Sequence, residues 1–406
     1  MAASELDDFR AETRTWLEIN APPPLRGLSQ SPEHACWGGK KFVFDPPETK
    51  DWLQAARERG FTAPTWPTEY GGGGLDAAQA KVLHEEMRRL KLPAPLMGFG
   101  LEMIGPTLIR YGTEEQKQQH LPAITRGEIR WCQGYSEPDS GSDLASVQTK
   151  AVIDGDDYIV NGAKVWTSYG DLSDWIFALV RSDPTAKKQE GISFLLIDMD
   201  TPGVEVRPIQ LISGKSPFCE TRFDDVRVPR KNVLGKVHGG WTVAKALLGF
   251  EREMISGIFG ISAGRKGNAA EQRTQSRLAN MAYDYGHEEQ GRVSAVLRDE
   301  IAHREMDERA FQLTMQRGRD AAKAGHAPGP ESSFFKVYGT ELNMARYELM
   351  VRMAGAQGLG WDGPGYEGKE LELTREWLRS RGNAIEGGTS EIQRNIIAKR
   401  VLGLPD

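Results

Sequence analysis

The period of the hydrophobic pattern changes twice along this chain, and that double change limits the folds open to it. From the start to about residue 128 apolar residues recur at helical spacing, interrupted by turn signals at Pro22-Pro23-Pro24 and at Gly71 to Gly74. Thr113 and Gln116 have capping-box spacing, so a new helix is expected after Tyr111-Gly112. Between roughly 129 and 237 the pattern becomes short alternating runs: TKAVI, YIVNG, WIFALV, ISFLLIDM and VEVRPI, separated by turn pairs such as Asp154-Gly155 and Asn161-Gly162. After Gly239-Gly240 helical spacing returns, with long segments near 241–265, 299–325, 333–355, 369–381 and 390–402. The expectation is an α+β chain in three parts: an N-terminal helical domain (1–128), a middle antiparallel β domain (129–237) and a C-terminal four-helix bundle that serves oligomerisation (238–406).

Composition removes several function classes. A net charge of -6 over 406 residues leaves no basic footprint for nucleic acid. Cys36, Cys132 and Cys219 are odd in number and far apart, which argues against a disulfide framework and for a reducing compartment. The opening MAASELDDFRAETRTWLEINAPPP is acidic and amphipathic, unlike a secretory or transit leader, so a mature cytoplasmic protein is expected. No stretch approaches the ~20 apolar residues of a membrane span. The histidines form no ligand spacing, so no metal site is expected. Gly358, Gly360 and Gly363 match a dinucleotide fingerprint but follow a helix rather than a strand, and read as a helix exit. Gly260, Ser262 and Gly264 match a nucleophile elbow, yet lie in a helical stretch, so a hydrolase is a poor second class.

Two loops of the β region carry more specific chemistry: WCQGYSEPDSGSDLAS from Trp131, and NGAKVWTSYG from Asn161. Backbone N–H groups near Gly141 can approach a phosphate or ring oxygen, the hydroxyls of Ser136, Ser142 and Ser168 can bond ring nitrogens, and the Trp166 indole can lie beside a flat cofactor. The same residue types also make ordinary turns. Farther along, helical spacing puts Leu247, Leu248, Met254, Ile255 and Ile258 on one face with Glu251. A carboxylate in apolar surroundings has a raised pKa suited to proton transfer near neutrality, unless it braces the fold through an ion pair, for instance with Arg252.

Order, spacing and context of these pieces, together with the tail IEGGTSEIQRNIIAKRVLG, resemble the acyl-CoA dehydrogenase family over nearly the whole chain. The resemblance implies FAD as cofactor and α,β-dehydrogenation of an acyl-CoA to the trans-2-enoyl-CoA. It implies that Gln133, Tyr135 and Ser136 edge the pyrimidine side of the flavin, that Ser142 contacts the diphosphate and substrate region, that Trp166 lies against the ring and that Ser168 bonds N5. Thr389 and Glu391 become cofactor candidates, with Gln357 contributing from a neighbouring subunit, and Arg252 matches an arginine near the CoA moiety. Many members place the catalytic carboxylate just before the Gly-Thr of the tail, where this chain has Gly387. Others carry it on the first long helix of the bundle in a Leu-x-x-Glu-Arg context, which Leu248 to Arg252 match. Glu251 is therefore the expected base, Glu386 the alternative, and the Gly387 N–H an expected oxyanion-hole donor to the thioester carbonyl. Glu253 points to a different helix face.

The resemblance also implies an electron-transferring flavoprotein as acceptor and a homodimeric or homotetrameric assembly. The Arg-x-x-Phe-Gly segment with which many homotetrameric members reach a neighbour's FAD is absent from EQRTQSRLANMAYDYGHEEQ. A heteromer with an unlike homologous subunit, dividing the FAD site and even leaving this chain non-catalytic, is the second expectation. An oxidase or oxygenase on the same scaffold is the third.

Overall fold

A computed structural model describes residues 3–28, 32–250, 276–286, 293–324, 329–330 and 332–405. Glu251, Arg252 and the Gly260 to Gly264 motif lie outside the described residues. The chain forms two compact units, one running to Ile209 and resuming at Pro217, the other combining Gln210–Ser216 with the C-terminal helices.

In the first unit five helices precede the sheet: α1 (Ala3–Asn20), α2 (Glu48–Glu58), α3 (Ala77–Arg89), α4 (Gly105–Tyr111) and α5 (Glu114–Thr125). Leu17, Trp52, Ala56, Leu83 and Met87 bury the facing sides of α1, α2 and α3. The Thr113 hydroxyl accepts from Gln116 N and the Gln116 side chain accepts from Thr113 N, the capping box the spacing predicts. A π-helical turn, Gly100–Ile104, leads into α4.

Seven strands follow: β1 (Trp131–Gly134), β2 (Lys150–Asp154), β3 (Asp157–Ser168), β4 (Trp175–Arg181), β5 (Ile192–Asp198), β6 (Val204–Ile209) and β7 (Phe218–Pro229). Their order is β1-β4-β2-β3-β7-β6, with β5 also on β4. The sheet is mainly antiparallel, but β1 and β2 each run parallel to β4, because the β2–β3 hairpin lies between β1 and β4 in sequence and lets the chain return in the same direction. Asp154-Gly155 turns the β2–β3 hairpin as expected. Asn161-Gly162 does not turn: it lies inside β3, where the Asn161 amide exchanges hydrogen bonds with Asp225 at a bulge in β7. A side chain at Gly162 would strike Thr149 at 2.6 Å, so that glycine serves close strand approach.

One apolar cluster joins the sheet to its helical neighbours, with Met103, Ile104, Leu121, Trp131, Tyr135, Phe177, Phe194, Val243 and Leu247 among its members. A helix covers 240–250, and its buried Val243, Ala244 and Leu247 face this cluster.

The second unit contains helices Arg277–Tyr285, Ala295–Lys323, Ser332–Ala354, Gly368–Ser380 and Ser390–Ile396, the last continued by a π turn to Val401. Leu278, Ala282, Leu349, Met350 and Leu373 form its core. Lys215 Nζ fastens the Gln210–Ser216 segment through Glu372 and Glu376, each at 2.9 Å. All three cysteines are free.

Candidate active site

The two β-region loops meet in space. Val165 N donates to Ser136 O at 2.9 Å, so the end of β1 runs beside the second half of β3. Below this contact lies an ion pair that the sequence pattern alone did not disclose. Lys164, fully buried, places Nζ 2.7 Å from Glu137 Oε1 and 3.1 Å from Tyr135 O. The Glu137 carboxylate also accepts from Gln148 N at 2.6 Å and Thr149 N at 2.9 Å, so one side chain grips both ends of the 137–149 loop. Burial opposes charge on each partner and pulls the Lys164 ammonium down to about 8. For Glu137 the opposing burial is outweighed by Lys164 and the N–H donors, and its carboxyl sits below the ordinary range.

The loop is tightened at further points. Glu137 and Ser140 exchange backbone hydrogen bonds, Asp143 accepts from the Ser146 hydroxyl and Lys188, and Arg181 donates to Ala145 O and Val147 O. Asp143 is therefore a brace. What remains untethered is informative. Among the described residues the side chains of Gln133, Ser136, Ser142 and Ser168 have no hydrogen-bond partner, whereas those of Ser140, Ser146 and Ser173 are bonded within the fold. The unbonded serines of these loops are thus Ser136, Ser142 and Ser168. Gly141 faces open space at the exposed tip.

Trp166 sits on a bulge where β3 has one residue more than β7 between the Lys164–Thr221 and Thr167–Cys219 pairs. Its φ is 63°, and its indole is 54% exposed, edge-on to Phe218. A bulky residue in the left-handed region costs on the order of 1–3 kcal/mol and persists where a site needs it. The Tyr135 ring, by contrast, lies in the core, edge-on to Phe177 and Phe194, so only its backbone can serve the loop surface.

In the second unit, Gly387 and Gly388 take positive φ, and the Thr389 hydroxyl caps the last helix by accepting from Ile392 N at 3.2 Å. Ser390 and Gln393 form no capping box: Ser390 is the first helical residue with its hydroxyl buried, and Gln393 donates back to Gly387 O. Glu391 lies in the first turn, and hydrogen bonds from its own N–H and from Thr389 hold its carboxyl below the usual range. Gln357 is half-buried in the short 3-10 turn that ends the helix Ser332–Ala354. Glu386, the alternative base, is tied up: it accepts from Arg379 and from Asn383.

The chain is 36% identical over 409 residues to the acyl-CoA dehydrogenase IpdE1 of Mycobacterium tuberculosis, covering 99% of this chain and 98% of that one. It belongs to the acyl-CoA dehydrogenase family. The N-terminal, middle and C-terminal domain models of acyl-CoA dehydrogenases match residues 31–128, 132–226 and 238–402. Among solved structures, a Tcur3481-Tcur3483 steroid acyl-CoA dehydrogenase aligns with TM-score 0.73 at 29% identity over 100% of this chain and 99% of that one. The ChsE4-ChsE5 complex of Mycobacterium tuberculosis aligns with TM-score 0.70 at 28% identity over the same shares. This acyl-CoA dehydrogenase is thus an oxidoreductase of a flavoprotein family. Its middle domain offers groups of the kind FAD needs: the untethered hydroxyls of Ser136, Ser142 and Ser168, the open Gly141 and the exposed Trp166 indole, on loops braced by the Glu137–Lys164 pair. Among the described residues no helix is long and apolar enough to cross a membrane, and no side-chain cluster could hold a metal ion.

Proposed function

We propose that this chain catalyses FAD-dependent α,β-dehydrogenation of an acyl-CoA thioester. Bound FAD supplies the two-electron acceptor. The Glu251 carboxylate would take the α-proton and the cofactor would accept the β-hydrogen with its electron pair, so that a carbon–carbon double bond forms and the trans-2-enoyl-CoA results. The electrons then pass to an electron-transferring flavoprotein. Gln133, Tyr135 through its backbone, Ser136, Gly141, Ser142, Trp166 and Ser168 hold the cofactor, with Thr389, Glu391 and a neighbour's Gln357 completing its far end. Arg252 and Ser142 address the CoA side, and the Gly387 N–H polarises the thioester carbonyl.

The observation that carries this reading is the untethered state of Gln133, Ser136, Ser142 and Ser168 beside Ser140, Ser146 and Ser173, whose hydroxyls are all bonded within the fold. Glu251 is preferred over Glu386 because Glu386 already has Arg379 and Asn383 as partners, while Leu247, four residues before Glu251, is fully buried in the cluster that contains Tyr135. The substrate class we propose is a bulky, ring-bearing acyl-CoA, by analogy with the solved relative that is a steroid acyl-CoA dehydrogenase. A panel of acyl-CoAs with an artificial electron acceptor tests the whole reading. Wild type should turn over and Glu251→Gln should lose at least about 100-fold in kcat, the usual worth of a general base. An active Glu251→Gln together with an inactive Glu386→Gln would move the base to the tail.

A second reading has its own support. The solved relatives Tcur3481-Tcur3483 and ChsE4-ChsE5 are pairs of unlike chains, and this chain lacks the Arg-x-x-Phe-Gly segment. Leu359, Ile385, Leu402 and Leu404 are exposed in the second unit, the first two each two residues from Gln357 and Gly387 respectively. In this reading the chain pairs with an unlike homologue that supplies part of the FAD site. Purification with and without such a partner, followed by the ratio of flavin to protein, separates the two.

A further inference from the structure

The turn that follows Ser168 is gripped by a cation that the catalytic reading does not use. Trp166 and Tyr169 both hold left-handed backbone, with φ of 63° and 53°, so Thr167 and Ser168 lie between two bulky residues in a conformation their side chains disfavour. Such a turn persists only where its surroundings over-determine it. Tyr169 N donates to Pro217 O at 2.8 Å, and the Ser173 hydroxyl donates to Tyr169 O at 2.9 Å.

The Tyr169 ring is held by a different kind of contact. Arg130, the residue before β1, places its guanidinium 4.9 Å from the centre of the Tyr169 ring and 4.9 Å from that of Trp37, and the two rings lie 5.6 Å apart. Arg130 is 8% exposed, and among the described residues its guanidinium has neither a hydrogen-bond acceptor nor a carboxylate partner. A buried cation without an anion needs another source of stabilisation, and two aromatic rings supply it here. The segment that carries Trp37 is fastened to the same turn at further points. Lys41 Nζ donates to Asp171 O at 2.8 Å and Lys40 N to the Asp174 carboxylate at 3.2 Å, which also accepts from Arg130 N at 2.7 Å. A side chain at Gly39 would strike Arg130 Cβ at 2.7 Å, so this close approach depends on that glycine.

We propose that Arg130 is a positioning residue for the reactive edge of the flavin: packed against Trp37 and Tyr169, it holds the strained turn that aims the Ser168 hydroxyl at the cofactor. This rests on the dehydrogenase reading for the role of Ser168. It adds a part for the N-terminal region, through Trp37, in setting the flavin site.

Hydrogen–deuterium exchange of the full chain tests the clamp without any cofactor. In Arg130→Met, which keeps the hydrocarbon stem, the Tyr169 amide should exchange about 10-fold faster, the worth of two cation–π contacts, while the Val165 amide bonded to Ser136 O stays unchanged. Arg130→Lys should fall between the two, and Trp37→Leu should repeat the Arg130→Met pattern at smaller size. In the FAD-loaded enzyme Arg130→Met and Ser168→Ala should each lower kcat about 10-fold with KM little changed, the worth of one hydrogen bond to the cofactor. The double variant should be no slower than Ser168→Ala, because a turn without its hydroxyl has nothing left to aim. Unchanged exchange at Tyr169, or losses that multiply in the double variant, overturns the proposal. A flavin-loaded wild type that turns over no acyl-CoA sinks the dehydrogenase reading instead. The reduction potential of the bound FAD, which needs no substrate, then decides for Arg130: a shift in Arg130→Met that vanishes in the Ser168→Ala background upholds the assignment, and equal shifts in both backgrounds overturn it.

Discussion

Replacing Lys164 by methionine tests whether the flavin loop is held from beneath. Lys164→Met keeps most of the buried hydrocarbon but removes the ammonium that lies 2.7 Å from Glu137 and 3.1 Å from Tyr135 O. Glu137 keeps two of its partners, Gln148 N and Thr149 N, so the loss should fall at the low end of that for breaking a buried pair, about 3 kcal/mol. The pH dependence gives a sharper signature. In the native pair the Glu137 carboxyl lies below its unfolded value, so its stabilisation is present above that value and is lost as pH falls through the folded one. Without Lys164, burial dominates and the carboxyl rises above its unfolded value, so its contribution turns against the fold as pH rises. The stability gap between wild type and variant should therefore widen from about pH 4 to pH 7. Urea unfolding monitored by circular dichroism at several pH values measures it, and flavin fluorescence should report FAD released at least about 10-fold more readily. The double variant Glu137→Gln with Lys164→Met should regain much of the loss, since it leaves no unpaired buried charge. A gap under about 1 kcal/mol, or one that does not vary with pH, would refute the reasoning.

Two further outcomes are expected. His120, buried edge-on to Trp131 and Trp175, is held neutral with its pKa pushed down to about 4. The unfolded chain binds a proton there below about pH 6.5 and the native one does not, so wild type should lose about 3 kcal/mol between pH 6.5 and 4 that His120→Phe does not lose, read from melts across that range. Trp166→Gly should relieve the strain of φ 63° and stabilise the FAD-free chain by about 1 kcal/mol while weakening FAD retention; unchanged retention would remove the indole from the cofactor site.

What the sequence discloses depends on whether a feature is local. The Thr113–Gln116 box and the Asp154-Gly155 hairpin need only neighbours within a few residues, and both form as spacing predicts. β7 escapes notice because Glu220, Arg222, Asp224, Asp225 and Arg227 crowd its outward positions, and the bulge at Asp224 and Asp225 shifts the alternation midway. Asn161-Gly162 misleads for the complementary reason: a pair that suits a turn also suits a strand where another chain approaches closely. Lys164 was legible in principle, since alternation places it inward with Tyr158 and Val160, and an inward lysine requires an anion. Which serines are left unbonded was not, because the hydrogen bonds of Ser140, Ser146 and Ser173 arise only once the loop has folded.

The tail explains why a base elsewhere is compatible with this scaffold. Gly387 and Gly388 hold φ of 63° and 88°, the left-handed region in which a residue with a side chain is strained by about 1–2 kcal/mol. A carboxylate at position 387 would bear that strain and would also have to compete with Glu386 for Arg379 and Asn383, which are already engaged next door. The base proposed at Glu251 avoids both costs, and Val243, Ala244 and Leu247, shortly before it in sequence, are buried in the apolar cluster that includes Tyr135. In that proposal the glycine keeps what the turn needs, an N–H free of side-chain bulk. It follows that Gly387→Glu in a Glu251→Gln background should restore little activity, since the turn that presents the amide is the one that disfavours the new side chain.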